Sequence, residues 1–408
     1  MSSLPDRVSS LVIGAGPAGL TAAASLARAG VDVRVVDRDD APGGVPRHSD
    51  HPGYGLRGMR RVLSGPQFAQ RLTDRAADAG ARIDVRTTVT DLDRNRHVNI
   101  TSPAGREGLT PSAIVLATGC RERPRTARLV PGTRPAGILT TGWLQRLVNL
   151  QHGNPGARAV VVGAEHVSYS AVLTLAEAGC RTVAMVTDRD AHDSVGAFDL
   201  LARTRYSFPL LTNARITAIH GRERVTGVSL QRDDGATAHI DCDTVVFTGD
   251  WFPENDLAVR AGLPLAMGSH APNHDGSLRT TAPGIFAAGN LLHPAITADR
   301  CADDGDIVSD AVVHWLNSQH WPTPAASIEV EAPLRWVSPT RLDGPIAGPV
   351  WLLSDERRRT PRIEVVQADE VLWSGRVPWA RPTRPFRILG AWAARANADE
   401  PICIRFAT

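Results

Sequence analysis

The stretch LVIGAGPAGLTAAASLARAG, residues 11–30, decides the fold. A short apolar run ends on Gly14-x-Gly16-x-x-Gly19, and a long alanine-rich helical stretch follows. Each glycine has a physical task. Gly14 makes the tight strand-to-helix turn, Gly16 lets backbone amides approach a pyrophosphate, and Gly19 lets the helix pack closely on the strand. Pro17 and Ala18 open the helix, whose positive end favours phosphate. A second strand, VDVRVVD, ends at Asp37, 18 residues beyond Gly19, where an acid accepts ribose hydroxyl protons; Arg38 follows it. Strand, glycines, helix, second strand and acid within one such unit predict a dinucleotide-binding α/β fold.

A second, damaged copy lies downstream: VVVGAEHVSYSAVLTLAEAG, residues 160–179. Matching Gly14 to Gly163 puts later landmarks at one offset of 149 residues, so the segment is an internal repeat. At that offset Gly16 matches Glu165, Gly19 matches Ser168 and Asp37 matches Val186. Glu165 places a carboxylate where a pyrophosphate approaches, a repulsion of roughly a few kcal/mol in a partly dry site. Val186 offers neither an acid for a ribose nor an Arg for a 2′-phosphate, although Asp188 and Arg189 lie nearby. Two readings stay open, a degenerate scaffold and a working NAD(P)H site, and the mismatch favours the scaffold.

Composition sets the outer bounds. At 408 residues the chain has room for two or three domains, and 42% apolar with 22% charged content is ordinary for a soluble globular protein. A net charge of +2 gives no strong pull toward nucleic acid or an anionic membrane. All 45 basic residues are Arg, which excludes a Schiff-base or Walker lysine. The five cysteines are scattered with no C-x-x-C, which excludes a thioredoxin-type pair and an endogenous iron–sulfur cluster. No apolar run reaches the ~20 residues a membrane span needs, and no signal sequence opens the chain, so a cytoplasmic location is expected.

Three further signatures follow the first fingerprint in order. They are the pair Gly43-Gly44 in APGGVPRH, the turn Ala117-Thr118-Gly119 in AIVLATGCRERPR, and Gly289-Asn290 in TTAPGIFAAGNLLHP. With these the sequence resembles flavoproteins with two dinucleotide-binding domains, of the glutathione-reductase-like fold. The resemblance covers residues 9–320 and implies that the first unit binds FAD. It implies FAD contacts from Gly14, Gly16, Pro17, Ala18, Gly19, Asp37, Arg38, Gly43, Gly44, Arg47, Ala117, Thr118, Gly119, Gly289, Asn290, Thr297 and Ala298. Asn290 departs from the family's Asp at the ribityl chain, and an amide there carries no charge. The helix starting near Thr297 is expected to aim its amides at the flavin.

The expected fold class is therefore α/β, with two Rossmann-like domains and a C-terminal all-β domain. The FAD domain comprises residues 1–125 and 254–322, and the NAD(P)-binding-like domain, 126–253, is inserted between them. Pro/Gly/Arg-rich linkers flank the insertion at 121–137 and 248–256. After the linker PTPAAS, residues 327–408 read as strands and hold five of the nine tryptophans, a pattern of aromatic packing. An oligomer or protein-partner surface, or a cover over the active site, is the expected use of this segment.

Candidate chemistry falls in the loop after Gly44, GGVPRHSDHPGYGLRGMRR, which carries Arg47, His48, His51, Tyr54 and Arg57. His48 or His51 suits a proton acceptor, because imidazole titrates near neutrality, and Arg47 or Arg57 suits a carboxylate clamp. The same histidines also read as simple hydrogen-bonding groups. The H-x-x-H spacing lacks companion ligands, so no metal is expected. His293 and Asp299 follow Asn290, and Cys301 reads as buried packing.

The strings ATGCRERPR and VVGAEHVS are similar to FAD subunits of bacterial amine and amino-acid dehydrogenases, of the sarcosine-oxidase alpha, opine-oxidase and hydrogen-cyanide-synthase type. That resemblance implies hydride transfer from a small amine or amino acid to flavin N5. The alternatives are an NAD(P)H-dependent flavoprotein reductase and an FAD-carrying assembly subunit of a multi-subunit dehydrogenase. Relatives carry a cysteine-rich segment that this sequence lacks, which leaves the electron acceptor open.

Overall fold

The computed structural model describes residues 8–194, 196–322, 326–344, 346, 348–397 and 399–407. The chain divides into two units. One comprises Met1–Arg47, Pro52–Cys120 and Pro253–Thr408, and the other comprises His48–His51 and Arg121–Phe252.

The first unit is built on a five-stranded parallel sheet, in the order Ile285–Ala287, Ala113–Leu116, Ser10–Ile13, Val33–Val36, Arg82–Asp84. Strands of this kind are covered on both faces, which is why they read as continuous apolar runs rather than alternating ones. Helix Pro17–Arg28 buries Leu20, Ala22, Ala23 and Leu26 and packs along the 21-residue helix Ala298–Ser318. Gly14 has φ +109°, and a side chain on it would collide with the Ala117 carbonyl oxygen. The glycine turn and the Ala117 turn therefore sit against each other.

The C-terminal segment forms strands where the sequence predicts them, including Leu334–Ser338, Val350–Ser354, Arg362–Gln367 and Ile402–Phe406. Its tryptophans divide. Trp392 is buried in the segment's own core with Ile363, Val365 and Ile404, whereas Trp336 and Trp351 join the core of the FAD-type sheet. The linker residues 323–325 lie outside the described residues.

The second unit repeats the same design, in the order Ile138–Thr140, Thr244–Phe247, Arg158–Val162, Arg181–Val186, Leu210–Leu211, all parallel. Helix His166–Glu177 has the same 12-residue length as Pro17–Arg28 and is displaced by 149 residues at both ends. Beyond the helix the displacement becomes 150. Gly14 donates to the Val36 carbonyl at 2.9 Å, while Gly163 donates to the Val186 carbonyl at 2.8 Å. The expected match of Asp37 to Val186 is thus corrected: Thr187 stands at the acid's position and Arg189 at that of Asp39. The pairing of Arg158–Val162 with Arg181–Val186 shifts register after Ala159, which accounts for the extra residue. A three-stranded antiparallel sheet over 214–241 completes this unit.

Candidate cofactor and substrate site

In the first unit the glycine turn leaves an open cradle. Nothing stands within 4 Å of where a Gly16 side chain would be, and the same is true at Gly119. Helix Pro17–Arg28 starts at Gly16 with no side-chain cap, so its first amides face this space unclaimed. Asp37 accepts the Ala15 amide at 2.6 Å and the Asp39 amide at 2.8 Å, which fixes its carboxylate at the end of the second strand. Each oxygen keeps a lone pair for a ribose hydroxyl. Gly44 lies against Gly16, and the Thr118 hydroxyl anchors its turn by donating to the Glu254 carbonyl at 2.7 Å. Arg38 reaches Glu254 at 3.5 Å with its side chain mostly exposed. The residues present fit a dinucleotide.

The far side of this cradle is the turn after Ile285–Ala287. Gly289 has φ +72° and lies so close to Ala18 that a side chain would press on its methyl group. Asn290 exchanges two hydrogen bonds with the Ile296 backbone, at 3.1 and 3.4 Å, so its amide braces the loop that leads to the helix. Thr297 is the N-cap of Ala298–Ser318. Asp299, in that helix's first turn, accepts the Gly55 amide at 3.1 Å and the Arg57 amide at 3.3 Å. It pins the loop carrying Tyr54 and Arg57 to the helix start. Cys301 is buried beside Gly289, and burial pushes its thiol well above the ordinary range.

The second unit's cradle is filled. Glu165 is the N-cap residue of His166–Glu177, but its carboxylate folds back over the turn. It accepts the Ala164 amide at 2.9 Å and the Thr248 hydroxyl at 2.7 Å. Ala164 is the counterpart of Ala15, whose amide Asp37 takes in the first unit. Side chains placed on Gly163 or Gly249 would run into the Glu165 carboxylate. Three replacements act together here, Glu165 for Gly16, Ser168 for Gly19 and Thr248 for Ala117, with the Ser168 and Thr248 hydroxyls 2.6 Å apart. Arg128 closes the turn by donating to the Thr248 and Gly249 carbonyls at 2.7 and 2.9 Å. Burial pushes the Glu165 carboxyl up, and the Thr248 hydroxyl opposes that shift.

Glu122 lies in the same cluster. Burial pushes its carboxyl up to about 7, the Gly142 amide at 2.9 Å pulls the other way, and the nearby Glu165 charge adds to the rise. The Thr141 side chain also holds the carboxyl down. Sequence reasoning missed Glu122, which sits inside an arginine- and proline-rich linker, and also Thr248. Laying Ala117-Thr118-Gly119 on Thr248-Gly249-Asp250 would have shown the second of these.

The predicted chemical groups scatter. Arg47 donates to the Asp40 carboxylate at 2.5 Å and to the Ala41 carbonyl at 3.1 Å, so it braces its own loop instead of standing ready as a clamp. His48 is buried, and its carbonyl accepts the Asn149 amide at 2.7 Å. His51 is half-buried, with Nε2 3.0 Å from the Ser49 hydroxyl. Both belong to the second unit, whereas Arg47, Tyr54 and Arg57 belong to the first. Among the described residues there is no group of three or more His, Cys, Asp or Glu placed to hold a metal.

Arg387 has two arginine neighbours, Arg57 and Arg300, that the sequence did not signal. Arg300, beside Asp299, lies 6.0 Å from the Trp351 ring, and Arg387 is the cross-strand partner of Trp351. The Arg300 and Arg57 charges add to burial in lowering the Arg387 guanidinium. Asp303 balances Arg300 at 2.9 Å.

Residues 8–305 match the pyridine nucleotide-disulphide oxidoreductase family. The chain belongs to this family. Its first cradle is where Gly14, Gly16, Asp37 and Gly289 would hold FAD. An opine oxidase subunit of Agrobacterium tumefaciens (strain Ach5) is 27% identical over 327 residues, covering 71% of this chain and 62% of that one. Thioredoxin reductase of Mycolicibacterium smegmatis is 27% identical over 319 residues, covering 76% and 96%. The crystal structure of T. acidophilum thioredoxin reductase superposes with a TM-score of 0.64 at 20% identity, covering 76% of this chain and 99% of that one, which shows the fold. The chain spans about three fifths of the length of the opine oxidase subunits it matches. No helix among the described residues is long and apolar enough to cross a membrane.

Proposed function

We propose that this chain oxidises a small carboxylate-bearing amine, of the opine or amino-acid class, and that NAD(P)H is not its hydride donor. The observation that carries this reading is the Glu165 carboxylate in the second cradle, hydrogen-bonded to Ala164 and Thr248. A phosphate entering there meets a buried carboxyl instead of open amides. The opine oxidase relative supports an amine substrate. The five free cysteines, none in a C-x-x-C pair, argue against disulphide reduction of the thioredoxin-reductase kind.

In the proposed reaction the carbon–nitrogen bond of the amine becomes an imine. The carbon loses a hydride to FAD and the nitrogen loses a proton. Bound FAD supplies the two-electron acceptor. The nitrogen's proton passes to solvent. Arg57, with Arg387, replaces Arg47 as the proposed carboxylate clamp, because Arg47 is spent on Asp40. Electrons then pass to dioxygen or to a protein acceptor.

A second reading has its own support. Val45, Leu56 and Val62 are 54%, 56% and 64% exposed around the flavin-side loop, an arrangement suited to a companion protein. In that reading the chain is the FAD-carrying member of a larger dehydrogenase, and residues 327–408 form an all-β domain that supplies part of the interface. Anaerobic titration of the FAD-loaded chain with amino acids, N-alkylated amino acids and opines tests the first reading. Flavin bleaching by one of them supports it. No bleaching by the chain alone, with turnover restored by a co-purified partner, supports the second.

A further inference from the structure

A buried chain of side chains runs from the Gly289 turn into the C-terminal segment. Asp304 Oδ2 accepts the Gly289 amide at 3.0 Å and lies 2.5 Å from His293 Nε2. His293 Nδ1 is 2.9 Å from the Ser338 hydroxyl, and the same hydroxyl is 2.8 Å from His274 Nε2. His274 Nδ1 ends the chain 3.0 Å from the Pro272 carbonyl oxygen. All four side chains are buried, and Ser338 comes from strand Leu334–Ser338.

The direction of every bond in this chain follows from donor bookkeeping. A carbonyl only accepts, so His274 Nδ1 carries a hydrogen. Burial pulls the His274 imidazole down to about 4, which leaves Nε2 bare at neutral pH. Ser338 must then donate its single hydroxyl hydrogen to His274. The hydroxyl can only accept from His293, so His293 Nδ1 is a donor. At 2.5 Å, a bare Nε2 facing a carboxylate would set lone pair against lone pair, so a proton lies between His293 and Asp304. That proton-bearing pair holds the amide of Gly289, the residue whose close approach to Ala18 shapes the cradle.

We propose that Ser338 is a positioning residue for the FAD site: its hydroxyl orients His293 against Asp304, and Asp304 holds the Gly289 turn. The C-terminal segment is therefore a working part of the FAD half. The Thr340 hydroxyl, accepting the His274 amide at 3.0 Å, and the Arg279–Asp343 ion pair at 2.6 Å tie down the same region.

The test compares wild type with Ser338→Ala and Ser338→Thr. Stripping and rebinding FAD should show affinity weakened roughly tenfold in Ser338→Ala, the scale of one unsatisfied buried group, and restored to within about threefold in Ser338→Thr. The proton spectrum of wild type should hold an exchange-protected, far-downfield resonance from the His293–Asp304 bond. It should be present in Ser338→Thr and lost or moved in Ser338→Ala. Unchanged FAD affinity with an unmoved resonance in Ser338→Ala would overturn the proposal. So would imidazole ¹⁵N shifts from wild type that show His293 Nε2 bare with Asp304 ionised, a measurement that needs no variant to fold.

Discussion

The Glu165 carboxylate lies 2.7 Å from the Thr248 hydroxyl, directly over the glycine turn of the second nucleotide fold. In the first fold the equivalent positions are Gly16 and Ala117, and nothing stands within 4 Å of where a Gly16 side chain would lie. One architecture therefore occurs twice, once with a cradle for phosphate and once with a carboxylate of its own in that place.

If Glu165 is what closes the second cradle, restoring the first unit's residues should reopen it. The triple variant Glu165→Gly, Ser168→Gly, Thr248→Ala is expected to bind NADH or NADPH at least tenfold more tightly than wild type. The gain reflects removal of a repulsion worth roughly a few kcal/mol. Calorimetric titration of both proteins checks it, and equal affinities would show that the carboxylate does not decide binding.

Glu122 makes the second unit pH-sensitive. Its folded carboxyl sits at about 7 against an ordinary 4.5, so the native state holds a proton that the unfolded chain releases earlier. Its contribution to stability is fully present below pH 4.5 and is lost as pH rises through 7. The loss is on the order of 3 kcal/mol. Glu122→Gln keeps an acceptor for the Gly142 amide and removes the ionisation. Denaturant melts should show the variant more stable than wild type at pH 8, with the gap closing at pH 5.

Asp37 holds two backbone amides as well as its place for a ribose. Asp37→Ala strands the amides of Ala15 and Asp39 and should weaken FAD binding by roughly tenfold or more. Asp37→Asn keeps an acceptor and should lose less. FAD titration by flavin fluorescence separates the two.

Arg57→Ala and Arg387→Ala should each raise KM for a carboxylate-bearing amine by roughly tenfold while leaving kcat nearly unchanged, the pattern of lost ground-state binding. Arg47→Ala should instead loosen its loop and weaken FAD, because its partners are Asp40 and the Ala41 carbonyl. Steady-state kinetics on the amine that bleaches the flavin make the comparison.

The first fingerprint was legible because each of its glycines answers a local steric demand, and Gly14 meets Ala117 in the way the motif requires. The conflict at Glu165 was legible too, since a carboxylate at a phosphate position is a chemical contradiction on its face. The match of Asp37 to Val186 failed by one residue. A register shift between paired strands leaves no mark in a sequence, so Thr187 was hidden. The Asp304–His293–Ser338–His274 chain was invisible for another reason. Its members come from four separate stretches, and only the packing of the C-terminal segment on the FAD half brings Ser338 between two histidines. Arg47 looked like a clamp because charge and position suited it, but its partner Asp40, seven residues away, had claimed it.

Electrons are expected to reach the flavin from a substrate and not from a nicotinamide. Rapid anaerobic mixing of the FAD-loaded protein with NADH, and separately with NADPH, tests it most directly. The flavin absorbance should stay that of the oxidised form on the seconds timescale with either nucleotide, and bleach when a carboxylate-bearing amine is supplied. Fast bleaching by NADH or NADPH would show that the second cradle delivers hydride despite Glu165.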